Sequence, residues 1–120
     1  MESNELQKQI RIGNYLLGKC IDDLDDRKEW WEIYKIQDAE HLMAIKDGWD
    51  RPIELTEEIL LKCVFIPCSI IDNHFNISGM CIWKCNDMFL CDKNGIHIKY
   101  LHQLQNLYFA LTGEELEIKL

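Results

Sequence analysis

"WWEIYKI", residues 30–36, decides the class of fold this chain adopts. Its residues are aromatic or β-branched with two charges interposed, a composition that suits the pleated, half-buried surface of a strand. At a period of two, Trp31, Ile33 and Lys35 fall on one face, and Trp30, Glu32, Tyr34 and Ile36 on the other. Upstream, "IRIGNYLLG" (10–18) reads as a first strand with a glycine at each end of its core, and the acidic "DDLDDRKE" (22–29) as a solvated connection. Downstream, "DAEHLMAIKDG" (38–48) has a cap residue in Asp38, apolar residues at 42, 43 and 45 and a glycine stop, which predicts a short helix.

A better-signed helix follows. In "PIELTEEILLKC" (52–63), Thr56 can cap the amino end, Glu57 and Glu58 complement the helix dipole, and Leu55 and Leu60 occupy the two positions of a hydrophobic staple. The helix should run from about Glu57 to Val64, and Pro67 prevents it going much further. Short strands are then expected in "CSII" (68–71), "GMCIWKC" (79–85), "MFLCD" (88–92) and "IHIKY" (96–100), with the Asn-Gly of "DKNG" (92–95) turning the last two into a hairpin. In "KYLHQLQNLYFALTGEEL" (99–116), Leu101, Leu104, Leu107, Tyr108 and Leu111 form an apolar stripe. His102, Gln103, Gln105 and Asn106 fall largely on the other, wet side. Gly113 supplies a left-handed carboxyl cap, leaving "EELEIKL" as a final edge strand. The expectation is an α+β fold: a mostly antiparallel sheet of five to seven short strands packed with two or three short helices, in one domain spanning residues 1–120.

Charge and composition narrow the functional classes. The chain has 120 residues, 48 % hydrophobic and 28 % charged, with a formal net charge of -8. An acidic chain with three arginines, Arg11, Arg27 and Arg51, lacks the positive field that grips a nucleic-acid duplex. No apolar run approaches the roughly 20 residues that span a bilayer. The polar "MESNELQKQI" lacks a signal-peptide core, so a cytosolic protein with reduced thiols is expected. The six cysteines are Cys20, Cys63, Cys68, Cys81, Cys85 and Cys91. A zinc reading would take C-x4-C and C-x3-C spacings with His74 and His97 as further ligands, but the paired C-x2-C knuckles are missing. Cys81, Trp83 and Cys85 alternate as a buried strand face would, which needs no metal. No metal and no cofactor are expected.

Catalytic signatures are missing too. His41, His74, His97 and His102 belong to no nucleophile or metalloprotease motif, and no enzyme is expected. The binding signal is stronger. Trp30, Trp31, Tyr34 and Trp49 lie within twenty residues, interleaved with Arg27, Lys28, Lys46 and Arg51. Aromatic planes stack on bases and guanidinium forks hold phosphates, so a nucleotide-type small molecule is a candidate ligand. Against it stand core roles for the tryptophans and the repulsion of Asp22, Asp23, Asp25 and Asp26. The same acidic, tryptophan-bearing "DDLDDRKEWW" would equally suit a basic site on a partner protein. Self-association through a terminal strand such as "EIKL" is a further expectation.

Three blocks carry a resemblance: "RIGNY" (11–15), "PIELTEEILLKC" (52–63) and "IKYLHQLQNLYFALTGEEL" (98–116). In that order they resemble a family of small uncharacterised proteins from Bacteroides-type gut bacteria, their phages and their mobile elements. The second block departs from the family pattern, having Cys63-Val64-Phe65 where a Phe-Gly-Phe-like run is more usual. The resemblance implies a setting, a phage or mobile-element protein in an intestinal anaerobe, and no chemistry. In that setting the expected role is a non-enzymatic counter-defence protein that sequesters a nucleotide-type immune signal or occludes a host defence protein. The alternative is an accessory protein of the element acting through protein–protein contacts.

Overall fold

Two apolar positions one helical turn apart, Leu6 and Ile10, open the chain, and both are buried. They make a first helix, α1 (Ser3–Gln9), where the sequence reading has only a polar leader. The computed structural model describes residues 3–25, 27–63, 65–68, 71–77, 80–91 and 95–119, and the side chains of all of these but 3 and 4. Among them the class is α+β, with four helices and two antiparallel sheets of three and five strands. That is more strands and one more helix than expected, distributed over two compact units, Met1–Ile53 and Glu54–Leu120. No helix among the described residues is long and apolar enough to cross a membrane.

In the first unit, "RIGN" is a turn rather than the start of a strand. Gly13 adopts φ 102, in the left-handed region that favours glycine, and lets the chain reverse direction. The buried Asn14 side chain accepts the Arg11 N–H at 2.8 Å. The turn is pinned by Gly13 N–H to Ile36 O and Ile36 N–H to Asn14 O. Strand β1 therefore begins later, at Tyr15, and runs to Ile21. It pairs with β2 (Glu29–Lys35) in unbroken register from Tyr15↔Lys35 to Ile21↔Glu29. A short helix α2 (Ala39–Met43), capped by Asp38 on His41 N–H, leads to β3 (Asp50–Arg51) on the other side of β1. The helix is shorter than its expected span because Met43 faces water and the next buried residue, Ile45, lies beyond it in the turn. The strand order is β2-β1-β3. Leu6, Ile10, Leu16, Ile36 and Ile45 form the core of this unit, with Tyr34 and Leu42 packed on it.

In the second unit, helix α3 (Glu57–Lys62) is capped as its sequence predicts, with Thr56 Oγ1 accepting Ile59 N–H at 3.2 Å. Leu55 and Leu60 of the staple are both buried. Val64, the expected end of this helix, lies outside the described residues. Strand β4 (Ile66–Pro67) is an edge strand, where a proline is tolerated, and it precedes the expected "CSII" rather than falling within it. Ser69 and Ile70 of that stretch are outside the described residues. The sequence reading has no strand at β5 (His74–Ile77). Strands β6 (Met80–Cys85) and β7 (Met88–Cys91) join through Asn86-Asp87, with Asn86 at φ 57, and β8 (His97–Ile98) completes the order β4-β5-β6-β7-β8. Residues 92–94 of the expected Asn-Gly turn are outside the described set. Gly95 has φ 67, and β7 does pair antiparallel with β8.

Two expectations fail in this sheet and its helix. The buried face of β6 carries Met80 and Ile82, continued by Phe75, Cys91, Phe89 and Ile98 on the neighbouring strands. Cys81, Trp83 and Cys85 form the opposite, outer face, because a one-residue choice of phase exchanges every side chain between faces. Helix α4 (Leu101–Thr112) forms as predicted, with Gly113 at φ 74 closing it. Its buried stripe, however, is Leu101, His102, Leu104, Gln105 and Tyr108. His102 is 0 % and Gln105 1 % exposed, whereas Leu111 is 41 % exposed. The polar pair is inside and part of the leucine stripe outside, a rotation of the helix from the expected orientation. "EELEIKL" adds no strand among its described residues; Leu116 is buried, and Lys119 N–H donates to Lys62 O at 2.7 Å.

Burial pushes the His102 imidazole down to about 4 from its ordinary 6.5, and its ring stacks on Tyr100 with centroids 5.7 Å apart. The folded state holds it neutral, so the unfolded chain takes up the proton first. Its contribution to stability is complete above about pH 6.5 and is lost as pH falls toward about 4. Chemical denaturation at about pH 5 should show a stability about 2 kcal/mol lower than at about pH 7.5. Most of that difference should vanish in His102→Phe; an unchanged pH dependence in that variant would remove His102 as its source.

Candidate functional site

The three-stranded sheet has two chemically distinct faces, and its register sorts the candidate residues between them. Directly paired residues share a face. One face carries Leu16, Gly18 and Cys20 of β1, Trp30, Glu32 and Tyr34 of β2, and Asp50 of β3. This is the core-facing side, since Leu16 is buried and Tyr34 packs on the core. The outer face carries Tyr15, Leu17, Lys19 and Ile21, then Glu29, Trp31, Ile33 and Lys35, then Arg51.

On the inner face, Tyr34 lies across the central strand. Its hydroxyl donates to Asp50 Oδ1 at 2.6 Å, spanning from β2 to β3. The ring passes directly over Gly18; a Cβ there would come within 3.0 Å of Tyr34 Cδ1 and Cε1. Burial, then the Asp50 hydrogen bond and charge, raise the Tyr34 phenol well above its usual range. Asp50 Oδ2 also accepts Lys46 N–H at 2.9 Å, which fixes the turn before β3. Trp30 is 44 % exposed, and its Nε1 donates to Glu32 Oε1 at 2.9 Å. Partial burial, then the Glu32 carboxylate, pushes the Cys20 thiol up. Tyr34 is thus a structural brace, and Trp30 is turned away from Trp31.

The outer face collects the rest of the aromatic and cationic chemistry. The Arg51 guanidinium sits over the Trp31 ring, 4.0 Å from its centroid. Arg51 makes no ion pair among the described residues. Stacking uses the flat face of the guanidinium and leaves its N–H edge to engage an anion. Lys19 Nζ lies 5.5 Å from the Trp49 ring centroid and 3.1 Å from Glu29 Oε2, while its backbone N–H donates to Trp49 O. Lys35 Nζ lies 5.9 Å from the Tyr15 ring. Arg27 does not join this group: its Nε pairs with Asp25 Oδ1 at 3.3 Å within the acidic turn. Of the six candidate residues, the fold therefore assembles Trp31, Trp49 and Arg51, places Trp30 and Tyr34 on the other face, and leaves Arg27 at the hairpin end. Lys19, Lys35 and Tyr15, which are not among the six, join the surface. The alternation of "YLLGKCI" carries that signal, but a first strand ending at Gly18 cuts it short.

Cys63 is fully buried, and its thiol is pushed up to about 12 by burial. No disulfide joins any of the six cysteines. Among the described residues no three His, Cys, Asp or Glu side chains gather in a metal-holding group.

Gly18→Ala should drive the new methyl into the Tyr34 ring and cost about 1–3 kcal/mol, measurable by urea denaturation. Tyr34→Phe in the Gly18→Ala background should recover little of that loss, since the ring and not the hydroxyl is displaced. A neutral Gly18→Ala would show that the ring moves aside freely. Comparison of the chain with protein-family models, with curated proteins and with solved structures finds no match.

Proposed function

We propose that this chain is a non-catalytic binding protein whose recognition surface is the outer face of the three-stranded sheet, and that its ligand is a nucleotide-type anion. The observation that carries this reading is the Arg51 guanidinium stacked on Trp31 with no carboxylate partner among the described residues, in a chain of net charge -8. Three cations, Lys19, Lys35 and Arg51, share that face with a single carboxylate, Glu29. Trp49, 42 % exposed, offers a stacking plane beside them. A planar base and a phosphate are the two halves of a ligand that such a surface favours.

Of the acidic residues near this segment, Asp50, Asp22 and Asp25 are engaged elsewhere. Asp50 projects from the other face and is engaged by Tyr34 and Lys46. Asp22 and Asp25 are engaged by backbone N–H groups within the hairpin turn. That turn lies beyond Ile21, four residues along β1 from Leu17, the partner of Arg51. At strand rise this is about 13 Å, longer than the screening length of about 8 Å at physiological salt. In the setting that the three sequence blocks imply, the binding protein belongs to a phage or mobile element in the bacterial cytoplasm and sequesters a nucleotide immune signal. The second reading, an accessory protein or a plug for a host defence protein, draws on the apolar Leu17, Ile21 and Ile33 of the same face.

The test is a thermal-shift screen of linear and cyclic adenine and guanine nucleotides, paired with mass spectrometry of small molecules that copurify. A stabilising nucleotide recovered intact after heat denaturation is the expected result. Arg51→Ala should weaken it by about tenfold or more, with the circular dichroism spectrum unchanged. Conversion of the ligand would make the protein an enzyme. Failure of every nucleotide to bind or copurify would overturn the nucleotide reading, and specific capture of a host protein dependent on Trp31 and Ile33 would replace it.

A further inference from the structure

Strand β2 is an edge strand whose outward side is open. It pairs with β1 and, among the described residues, with no other strand. Which of its backbone groups face outward follows from the bonds at its two ends. Ile36 N–H donates to Asn14 O, and Lys28 O accepts Asp22 N–H, so even-numbered residues are turned toward β1. In an antiparallel ladder the alternate residues point the other way. Glu29, Trp31, Ile33 and Lys35 therefore present N–H and C=O groups to the free edge, a seven-residue template with no proline and no bulge in its register. Such an edge invites another strand.

The side chains say which one. Laid antiparallel against itself about Glu32, the strand EWWEIYK places Glu29 opposite Lys35 of the second copy, Trp30 opposite Tyr34, and Trp31 opposite Ile33. Every pair joins residues of the same face, and the outward-bonding residues meet each other, as the ladder requires. Two pairs of opposite charge result by symmetry, of the kind that stabilises paired strands; Glu29 then meets Lys35 of the second copy in addition to its own Lys19, while the Tyr34 ring stays on Gly18 and adds nothing at the seam. The register about Trp31 would set Glu29 against Ile33, and the register about Ile33 would set Trp31 against Lys35. Neither matches charge with charge. We propose that β2 is the seam of a two-fold homodimer, in which two copies form a continuous six-stranded sheet of order β3-β1-β2-β2-β1-β3. The seam has one mismatch: the two Glu32 residues oppose each other at the axis, which weakens the dimer and identifies its register. This proposal stands on the strand edge and not on the ligand reading.

Sedimentation equilibrium of the full chain, repeated over a concentration series, tests it. The wild type should dimerise. Lys35→Glu and Glu29→Lys should each weaken association by at least about tenfold, because each turns both symmetric pairs into like charges. Mixed in equal amounts, the two variants should restore a dimer, since both pairs are again opposite in sign. Glu32→Gln should tighten the wild-type dimer. Ile33→Pro removes only an outward N–H, a position where an edge strand tolerates proline, and should leave a folded monomer by circular dichroism. A wild type that stays monomeric throughout, or a dimer indifferent to both charge variants, would overturn the proposal. So would a mixture that associates no better than its components.

Discussion

The first unit depends on one close approach: the Tyr34 ring lying on the bare backbone of Gly18 to reach Asp50. With that hydrogen bond in place, three strands that are only seven, seven and two residues long are locked edge to edge. The two-residue β3 has little ladder of its own, so Asp50 holds it from both sides, through Tyr34 and through Lys46 N–H. Arg51 follows Asp50 directly. Pleating then requires that if Asp50 faces inward, Arg51 faces outward, which is where it meets Trp31. The inner brace thereby aims the outer cation.

This coupling explains why adjacent tryptophans take different roles. Trp30 shares its face with Tyr34 and is tied to Glu32, while Trp31 shares its face with Arg51 and carries the guanidinium. An outer sheet face that is half apolar and cationic is an unusual allocation for an acidic chain, whose surface elsewhere must carry the excess of carboxylates. The core-facing side needs no such chemistry. The division assigns stability to one face and leaves the other for the recognition role proposed above.

How much of this was legible in the sequence varies with the signal each element leaves. The alternation of residues 30–36 told its story correctly, down to which residues share a face, because a period of two on aromatic and β-branched residues has few competing explanations. Caps were equally readable: Asp38, Thr56 and Gly113 act as their chemistry predicts. Helix α1 has too few apolar residues to announce itself, and β3, only two residues long, is below what any pattern can register; β8, equally short, lies within the expected strand of residues 96–100 because the hairpin signal before it marks the place. Strand β1 starts later than its alternation suggests because the left-handed Gly13 and the Asn14 side-chain bond to Arg11 N–H make a turn there. The orientation of α4 failed for another reason. His102 and Gln105 are polar by type, yet their placement is set by where Leu101, Leu104 and Tyr108 must go, and neighbours at three- and four-residue spacing are buried with them. Of the proposed binding surface, Trp31, Trp49 and Arg51 were visible as residue types, but their meeting depends on pairing across β1, which no local pattern contains.

The unequal division of charge has a kinetic consequence. A molecule with a net charge of -8 repels an approaching anion at long range, while the anion site proposed on the outer face would act only at close range. Added salt screens the distant repulsion before it weakens a contact made through the edge of a stacked guanidinium. Capture of an anionic ligand should therefore quicken as ionic strength rises from very low values. Anion-binding proteins with an overall positive field show the reverse. Such a protein would remain nearly blind to the polyanions that crowd a cell and respond to the small ligand that reaches its cationic face.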